Sequence, residues 1–186
     1  MLNLFSMKYR VIYLILICSA LSAINFKEGN KIFPYYLWFS AGLGSMWTED
    51  TDMMNLYSSI NYSKNTHVLK LRAIAGGPIQ GTFQDEHAGD IGLLYGYRQS
   101  FGNISISYLG GIGLTAGEYK GKKDEDFTAY TKYEMINYQA FGLPLEIQLD
   151  LNKFRPFGLS LSAFGNINTE KSFAGLSLNI LIGRLP

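Results

Sequence analysis

The chain is poor in cysteine, in charge and in long apolar runs. Its single cysteine, Cys18, lies near the N-terminus, so the rest of the chain can form neither a disulfide nor a thiolate metal site. Charged residues make up 17% of the sequence, below the usual share of about 25%. The 16 basic residues form no basic stripe, which argues against nucleic acid as a partner. No apolar run reaches the ~20 residues that a transmembrane helix requires.

The N-terminal segment has the three parts of a secretory signal peptide. Lys8 and Arg10 precede the apolar run 11–17, and small residues follow as far as Ala23. This order predicts that residues 1–23 are a cleaved signal peptide, followed by a short periplasmic tether over residues 24–32. A lipoprotein anchor at Cys18 is disfavoured, because Ile17 stands where such sites carry Gly or Ala.

The C-terminal part of the chain alternates between apolar and small or polar side chains. Apolar residues recur at every second position from Phe157 to Ala163 and from Ala174 to Ile182, and most of the residues between them are Gly, Ser or Asn. Because side chains of a strand point alternately to its two faces, each segment is predicted to be a β-strand. One face of each strand is apolar, and the other is small and weakly polar.

Eight segments of this kind follow one another, with no long helical period between them. Most contain at least the ~9–11 residues that a tilted strand needs to cross a bilayer. Residues 33–186 are therefore predicted to form an all-β domain, an eight-stranded antiparallel up-and-down transmembrane β-barrel. Pro144, inside the sixth segment, predicts a bulge, a bend or weakened pairing. The predicted strands are 33–47, 52–62, 66–76, 89–99, 103–117, 133–149, 155–167 and 172–184.

The lengths of the connections alternate in the manner of an outer-membrane barrel. Such barrels keep both termini and the short turns in the periplasm and present longer loops outside. The second, fourth and sixth connections are short, whereas the third (77–88) and the fifth (118–132) are the longest. Loops 77–88 and 118–132 are therefore predicted to be external.

Two classes of eight-stranded barrel fit the alternation. A soluble lipocalin-like carrier turns its apolar face inward around a hydrophobic ligand, whereas a membrane barrel turns it outward. The other face carries small residues such as Gly111, Ser160 and Gly175, which suit a narrow lumen and favour the membrane barrel. Aromatic residues near strand ends are interpreted as girdles at the two membrane interfaces; they are Tyr35, Tyr36, Trp38, Trp47, Tyr95 and Tyr97.

Several charged and polar residues fall on the predicted inner face. A charge buried inside a narrow barrel requires a partner, so these residues are predicted to form a salt-bridge network in the periplasmic half, with the carboxylate of Glu146 facing Arg72 and Arg98. The network is interpreted as a structural plug, and a proton or ion path or a gate is the functional alternative. The predicted lumenal polar network consists of Lys70, Arg72, Arg98, Glu146 and Gln148.

A cluster of acidic residues and a histidine lies in and beside the third connection. With its carboxylates, His87 fits the base of a serine hydrolase that has Ser45 or Ser172 as nucleophile, and the oxygen ligands fit a divalent cation. No spaced motif supports either chemistry, and a solvated loop is the preferred interpretation. His67, near a turn, has no partner nearby in the sequence. The cluster consists of Asp85, Glu86, His87 and Asp90.

The signal peptide, the eight amphipathic strands and the ending FGNINTEKSFAGLSLNILIGRLP resemble the small outer-membrane β-barrel proteins of Gram-negative bacteria. The resemblance implies location in the outer membrane, contact with membrane lipid and lipopolysaccharide, insertion by the barrel-assembly machinery and a monomer. It implies no cofactor, no metal and no catalytic residue. We expect a non-enzymatic envelope protein with a structural or surface-interaction role. A lipid-A-modifying hydrolase and a soluble carrier are the alternatives.

Overall fold

The computed structural model describes residues 35–78, 86–123, 133–154 and 156–185, which form eight β-strands and parts of their connections. Six strands lie within a few residues of their predicted bounds, whereas β5 and β6 continue past them to Lys123 and Phe154. The predicted signal peptide (1–23) and tether (24–32) lie outside the described residues. The strands are β1 Tyr36–Trp47, β2 Asp52–Lys64, β3 His67–Gly77, β4 His87–Phe101, β5 Ile104–Lys123, β6 Tyr133–Phe154, β7 Phe157–Asn168 and β8 Phe173–Arg184.

The eight strands close into a ring. Each strand pairs in antiparallel fashion with the next one in sequence, and β1 pairs with β8 from Leu37 opposite Arg184 to Trp47 opposite Ala174. Closure leaves none of these eight strands with an unpaired edge. The predicted up-and-down eight-stranded barrel is confirmed. In the described part of the chain, no helix is long and apolar enough to cross a membrane.

The apolar face of the sheet points outward and the polar face points into the lumen. Leu178 is 63% exposed, whereas its neighbour Asn179 is 1% exposed. On β7, Leu159 is exposed and Ser160 is buried in the same way. A lipocalin-like carrier requires the opposite arrangement, because its ligand lies among inward apolar side chains. The soluble-carrier alternative is therefore wrong.

The two ends of the barrel differ in how the strands connect. At one end, Asn65 and Gly102 adopt left-handed backbone conformations (φ 55° and 64°) in the two-residue turns β2–β3 and β4–β5. Asn and Gly tolerate this conformation best. We call this end the turn end and the opposite end the loop end. The predicted loops 77–88 and 118–132 are shorter in the structure, because β4 begins at His87 and β5 reaches Lys123.

Pro144 causes an interruption of pairing rather than the bulge that was one of its predicted effects. The pairing of β5 with β6 omits Gly111 and Ile112, yet the register is the same on both sides of the gap. The register shifts lie elsewhere, at Lys120/Lys123 and Leu151/Phe154. The side chain of Pro144 is buried in the lumen.

Gly92 on β4 makes room for the ring of Pro144. A Cβ atom at Gly92 would lie 3.1 Å from Cγ of Pro144 and 3.2 Å from Cδ1 of Leu94. Such contacts are tight enough that the lumen would have to rearrange around an added side chain. Gly89 on the same strand lies toward the outer wall, and its nearest contacts would be at 3.7 Å.

We predict that Gly92→Val destabilises the barrel by roughly 1–3 kcal/mol through overpacking. Gly89→Val is the matched control, because both variants gain the same β-propensity and only Gly92 faces Pro144. Urea unfolding midpoints of the two refolded variants measure the difference. Equal midpoints would mean that the lumen at Pro144 is not closely packed.

Candidate functional site

Strands β3, β4 and β6 bring seven polar or charged side chains together inside the barrel. On each strand these residues are separated by an even number of positions, so they share the inward face. All seven are between 0% and 2% exposed. Five are the residues predicted from the sequence, and the other two are aspartates. The seven are Lys70 and Arg72 on β3, Asp90 and Arg98 on β4, and Glu146, Gln148 and Asp150 on β6.

Glu146 is the centre of this cluster. Its Oε1 lies 2.5 Å from Nζ of Lys70, and its Oε2 lies 3.2 Å from Nη1 of Arg72. The hydroxyl of Tyr57 donates a further hydrogen bond of 2.7 Å to Oε1 and accepts one of 3.0 Å from Lys70. Both carboxylate oxygens are thus engaged by charged donors, which form the stronger class of hydrogen bond.

Two neighbours extend the cluster along the lumen from Glu146. Lys70 also donates to Oε1 of Gln148, and Nε2 of Gln148 donates to Oδ1 of Asp150 at 2.5 Å. Toward the loop end, Nη2 of Arg72 lies 2.7 Å from Oδ2 of Asp90. Gln148 therefore links the ion pairs of Glu146 to those nearer the turn end.

Arg98 pairs with Asp150 and not with Glu146. Its Nη2 lies 3.4 Å from Oδ2 of Asp150, and its guanidinium carbon lies 5.1 Å from the centre of the Trp38 ring. The predicted pairing of Arg98 with Glu146 is wrong because of the strand register. Arg98 lies in the cross-strand row of Gln148, one inward position nearer the turn end than the row of Glu146.

The buried charges inside the barrel balance. Among the described residues, three cations and three carboxylates are buried in the lumen, and each of them has an opposite charge within 4 Å. Removing one partner from a buried pair leaves an uncompensated charge at a cost of several kcal/mol. Neutrality is therefore a condition for filling this lumen with charged side chains. The six are Lys70, Arg72, Arg98, Asp90, Glu146 and Asp150.

Two apolar clusters share the lumen with the charged side chains, one toward each end of the barrel. The cluster at the turn end includes Trp38, Leu94 and Leu181. The cluster at the loop end includes Met46 and Phe164. The charged and apolar side chains interdigitate along the lumen, because Phe164 is the direct cross-strand partner of Glu146 and Arg98 lies nearer the turn end than Leu94 on the same strand.

The opposite side of the lumen is polar but uncharged. Asn61 donates to the hydroxyls of Ser40 and Ser59 at 3.1 and 3.0 Å. Asn179 donates to the hydroxyls of Ser160 and Ser162 at 3.2 and 3.1 Å. These short side chains leave space across the barrel for the long cations of β3 and donate hydrogen bonds to one another.

Glu86 forms a second charged centre, on the rim of the loop end. Its carboxylate accepts a 2.7 Å hydrogen bond from Thr51 and lies 3.1 Å from Nζ of Lys171, which also pairs with Asp50. The backbone N–H of Lys120 donates to it as well. Burial raises the pKa of Glu86, but these hydrogen bonds and the charge of Lys171 outweigh burial and hold the pKa below its ordinary value of 4.5.

The predicted acidic and histidine cluster of the third connection does not converge on one point. His87 is exposed on the outer wall, Glu86 faces the rim, and Asp90 points into the lumen; Asp85 lies outside the described residues. Among the described residues, no group of three or more His, Cys, Asp and Glu side chains is placed to hold a metal ion. The interpretation of this cluster as one catalytic or metal site is therefore wrong. The preferred interpretation, a solvated loop, is also wrong for Glu86 and Asp90, which are buried.

Three residues of the ionic core were not predicted from the sequence. Asp90 was assigned to the external cluster, and Asp150 to the turn after a strand predicted to end at 149. The phenol of Tyr57 gives no signal, because aromatic residues favour either face of a strand. The period-two alternation of β4 does predict an inward side chain at Asp90. Asp90 stands two positions before Gly92 and four before Leu94, and all three lie on the inner face.

We predict that Glu146→Gln lowers the free energy of unfolding by about 3–5 kcal/mol, because it leaves Lys70 without a carboxylate partner and Arg72 with only Asp90. A double-mutant cycle with Arg72→Met should show a coupling of about 0.5–3 kcal/mol. The same cycle with Arg98→Met should show less than about 0.5 kcal/mol, whereas Arg98→Met and Asp150→Asn should couple. Stronger coupling of Glu146 to Arg98 than to Arg72 would contradict the register described above.

We predict that the rim loses stability in acid through Glu86. Because the pKa of Glu86 is lower in the folded protein, its stabilising effect is present above the ordinary value of 4.5 and disappears as the pH falls through the folded value. Glu86→Gln should lower the urea midpoint of unfolding near neutral pH. In this variant the midpoint should also decrease less as the pH falls below 4.5 than it does in the wild type. Glu170→Gln, at an exposed carboxylate of the same rim, is the control and should leave the wild-type profile unchanged.

No family model matches the chain, and no curated protein matches it. Among solved structures, neisserial surface protein A covers 83% of this chain and 99% of its own, with a TM-score of 0.58 and 12% identity. The N-terminal β-barrel domain of Pseudomonas aeruginosa OprF covers 80% and 96%, with a TM-score of 0.53 and 14% identity. The attachment invasion locus protein Ail of Yersinia pestis covers 81% and 96%, with a TM-score of 0.55 and 10% identity. At these identities the likeness concerns the fold: this chain has the fold of the eight-stranded outer-membrane β-barrel proteins.

Proposed function

We propose that this protein is a non-enzymatic β-barrel of the bacterial outer membrane, closed by its own side chains, with a structural or surface-interaction role at its loop end. The observation that carries the proposal is the division of the sheet into an apolar outer wall and a charge-balanced lumen. The outer wall requires lipid as its surroundings. Because side chains close the lumen in this proposal, other molecules would interact with the surface of the barrel.

The outer wall is apolar around the whole circumference. All eight strands contribute large apolar side chains that are more than a third exposed, from Leu37 and Phe39 on β1 to Leu178 and Ile180 on β8. A monomeric protein in water rarely exposes a continuous apolar surface of this extent. In a bilayer the same surface is favourable, and the closed ring satisfies the backbone hydrogen bonds that lipid cannot.

The orientation follows from the connections and the charges. Short turns face the periplasm in bacterial outer-membrane barrels and longer connections face outside, which supports a periplasmic location of the turn end and of both termini. The loop end carries exposed carboxylates, including Asp50, Asp52 and Glu170, as a solvated external surface would. The predicted signal peptide supports export, and contact with lipopolysaccharide and insertion by the assembly machinery as a monomer follow from this proposal.

The ionic core is proposed to be a plug. An eight-stranded barrel is just wide enough for side chains to fill it. Here, buried apolar side chains, among them Leu94 and Phe164, pack in the lumen beside the ion pairs of Glu146. Ion flow would require this packing to open and the pairs to break. The names of two similar structures, a surface protein and an attachment protein, are compatible with a surface role.

We predict that Leu178→Arg costs about 2–4 kcal/mol in folding into a lipid bilayer, because Leu178 lies midway along β8 and such a charge would lie at the bilayer midplane. Ile182→Arg, on the same face but near the turn end, is the matched control and should cost about 0–1 kcal/mol. Refolding titrations into vesicles measure both. Equal costs at the two positions, or no heat-modifiable migration of the folded protein in a detergent gel, would contradict the membrane placement.

A further inference from the structure

His67, at the turn end, is exposed on the outer wall but contacts two tyrosine side chains. The hydroxyl of Tyr95 lies 2.7 Å from Nδ1 of His67. The two rings stack at 5.7 Å with an angle of 11°, and Tyr97 packs edge-on against His67 at 6.4 Å. Side chains that are already ordered lose less entropy when they bind a ligand. The imidazole is therefore preorganised at the surface of the barrel.

The hydrogen bond with Tyr95 engages one of the two ring nitrogens of His67. With Nδ1 engaged by Tyr95, Nε2 is the nitrogen that remains for a ligand. When the Tyr95 hydroxyl donates to Nδ1, the proton of the neutral ring is on Nε2, which is then a hydrogen-bond donor. A donor at this position suits an anion.

The strand register places a cation and two further hydroxyls beside His67. Lys64 on β2 and Tyr97 on β4 are its direct cross-strand partners, and Tyr108 on β5 is the partner of Tyr97. Directly opposite residues in a sheet have Cβ atoms about 4.5–5.5 Å apart, so the four side chains form one row across the outer wall. The row combines one ammonium group, one imidazole and phenol hydroxyls.

No carboxylate of the described residues competes with this row. Each of them lies either in the lumen, as Asp90, Glu146 and Asp150 do, or toward the loop end. In the same described part of the chain, Lys64 forms no ion pair with any of them. The turn end of the outer wall is therefore cationic as well as aromatic.

We propose that Lys64, His67 and the surrounding tyrosines bind the phosphate of an anionic phospholipid headgroup. The inference rests on the proposed membrane function, because the row opens sideways from the wall. At the depth of an aromatic belt, lipid headgroups are the neighbours of the protein. Lys64 supplies the charge, Nε2 of His67 donates a hydrogen bond, and Tyr95 orients the imidazole. Inorganic phosphate has the same chemistry and is the other possible source.

The test uses the refolded full barrel in detergent micelles with phosphatidylglycerol and phosphatidylcholine, and native mass spectrometry measures which lipid stays bound. The wild-type barrel should retain phosphatidylglycerol preferentially. Lys64→Ala should weaken this preference about fivefold, as expected for one basic residue at an anionic surface. His67→Phe, which keeps an aromatic ring, should weaken it further in combination with Lys64→Ala, and Tyr95→Phe should have an intermediate effect.

Lys120→Ala is the matched control, because it removes one exposed positive charge at the loop end and should leave the preference intact. An equal loss in Lys120→Ala, or no loss in Lys64→Ala and His67→Phe, would overturn the site. Retention of phosphatidylglycerol no stronger than that of phosphatidylcholine, together with binding of inorganic phosphate that is lost in Lys64→Ala, would overturn the headgroup as its ligand. Only variants that show heat-modifiable migration, and are therefore folded, enter this comparison. A variant that fails to fold bears on the proposed membrane function, whereas a folded variant that loses the lipid preference bears on the site.

Discussion

The cost of burying charge inside a narrow barrel governs this structure. An ion removed from water without a partner is penalised by several kcal/mol, and six charged side chains of the described residues lie buried in the lumen. The structure meets the constraint by placing Glu146 between Lys70 and Arg72 and by supplying Arg98 with Asp150. The short Asn and Ser side chains on the opposite strands then leave the long cations room to reach across the lumen.

In the proposed function, side chains close the lumen, so the outer surface is what remains for interaction. The wall is proposed to meet lipid over most of its height, and Leu178 is one example of its exposed apolar residues. The two ends differ in character. The loop end is tied together by Glu86 and Lys171 and is mainly acidic, whereas the turn end carries Lys64, His67 and a group of tyrosines. The two ends of the barrel therefore present chemically different surfaces.

Most of the fold can be predicted from the sequence because the period-two alternation of apolar and polar residues is a local property. The outward position of Leu159 and the inward position of Ser160 can be inferred from their immediate neighbours alone. Tertiary register is not local. Asp90 and Asp150 were missed as counterions because both stood at predicted strand ends, where loop residues are expected to be solvated. Tyr36 and Trp38 were interpreted as girdle residues, yet both are buried in the lumen, because an aromatic ring near a strand end fits either face. The partner of His67 was missed since only the pairing of β3 with β4 brings Tyr95 beside it.

The central claim is that one face of every strand meets lipid while the other is packed inside a filled lumen. Single-cysteine spin labelling along β8 in lipid vesicles tests it most directly, and the only native cysteine, Cys18, lies in the predicted signal peptide. Labels at 176, 178 and 180 should be accessible to oxygen dissolved in the bilayer, and labels at 177 and 179 should be shielded both from oxygen and from a water-soluble relaxation agent. Access of the water-soluble agent to positions 176, 178 and 180, or the opposite phase of the alternation, would contradict the account.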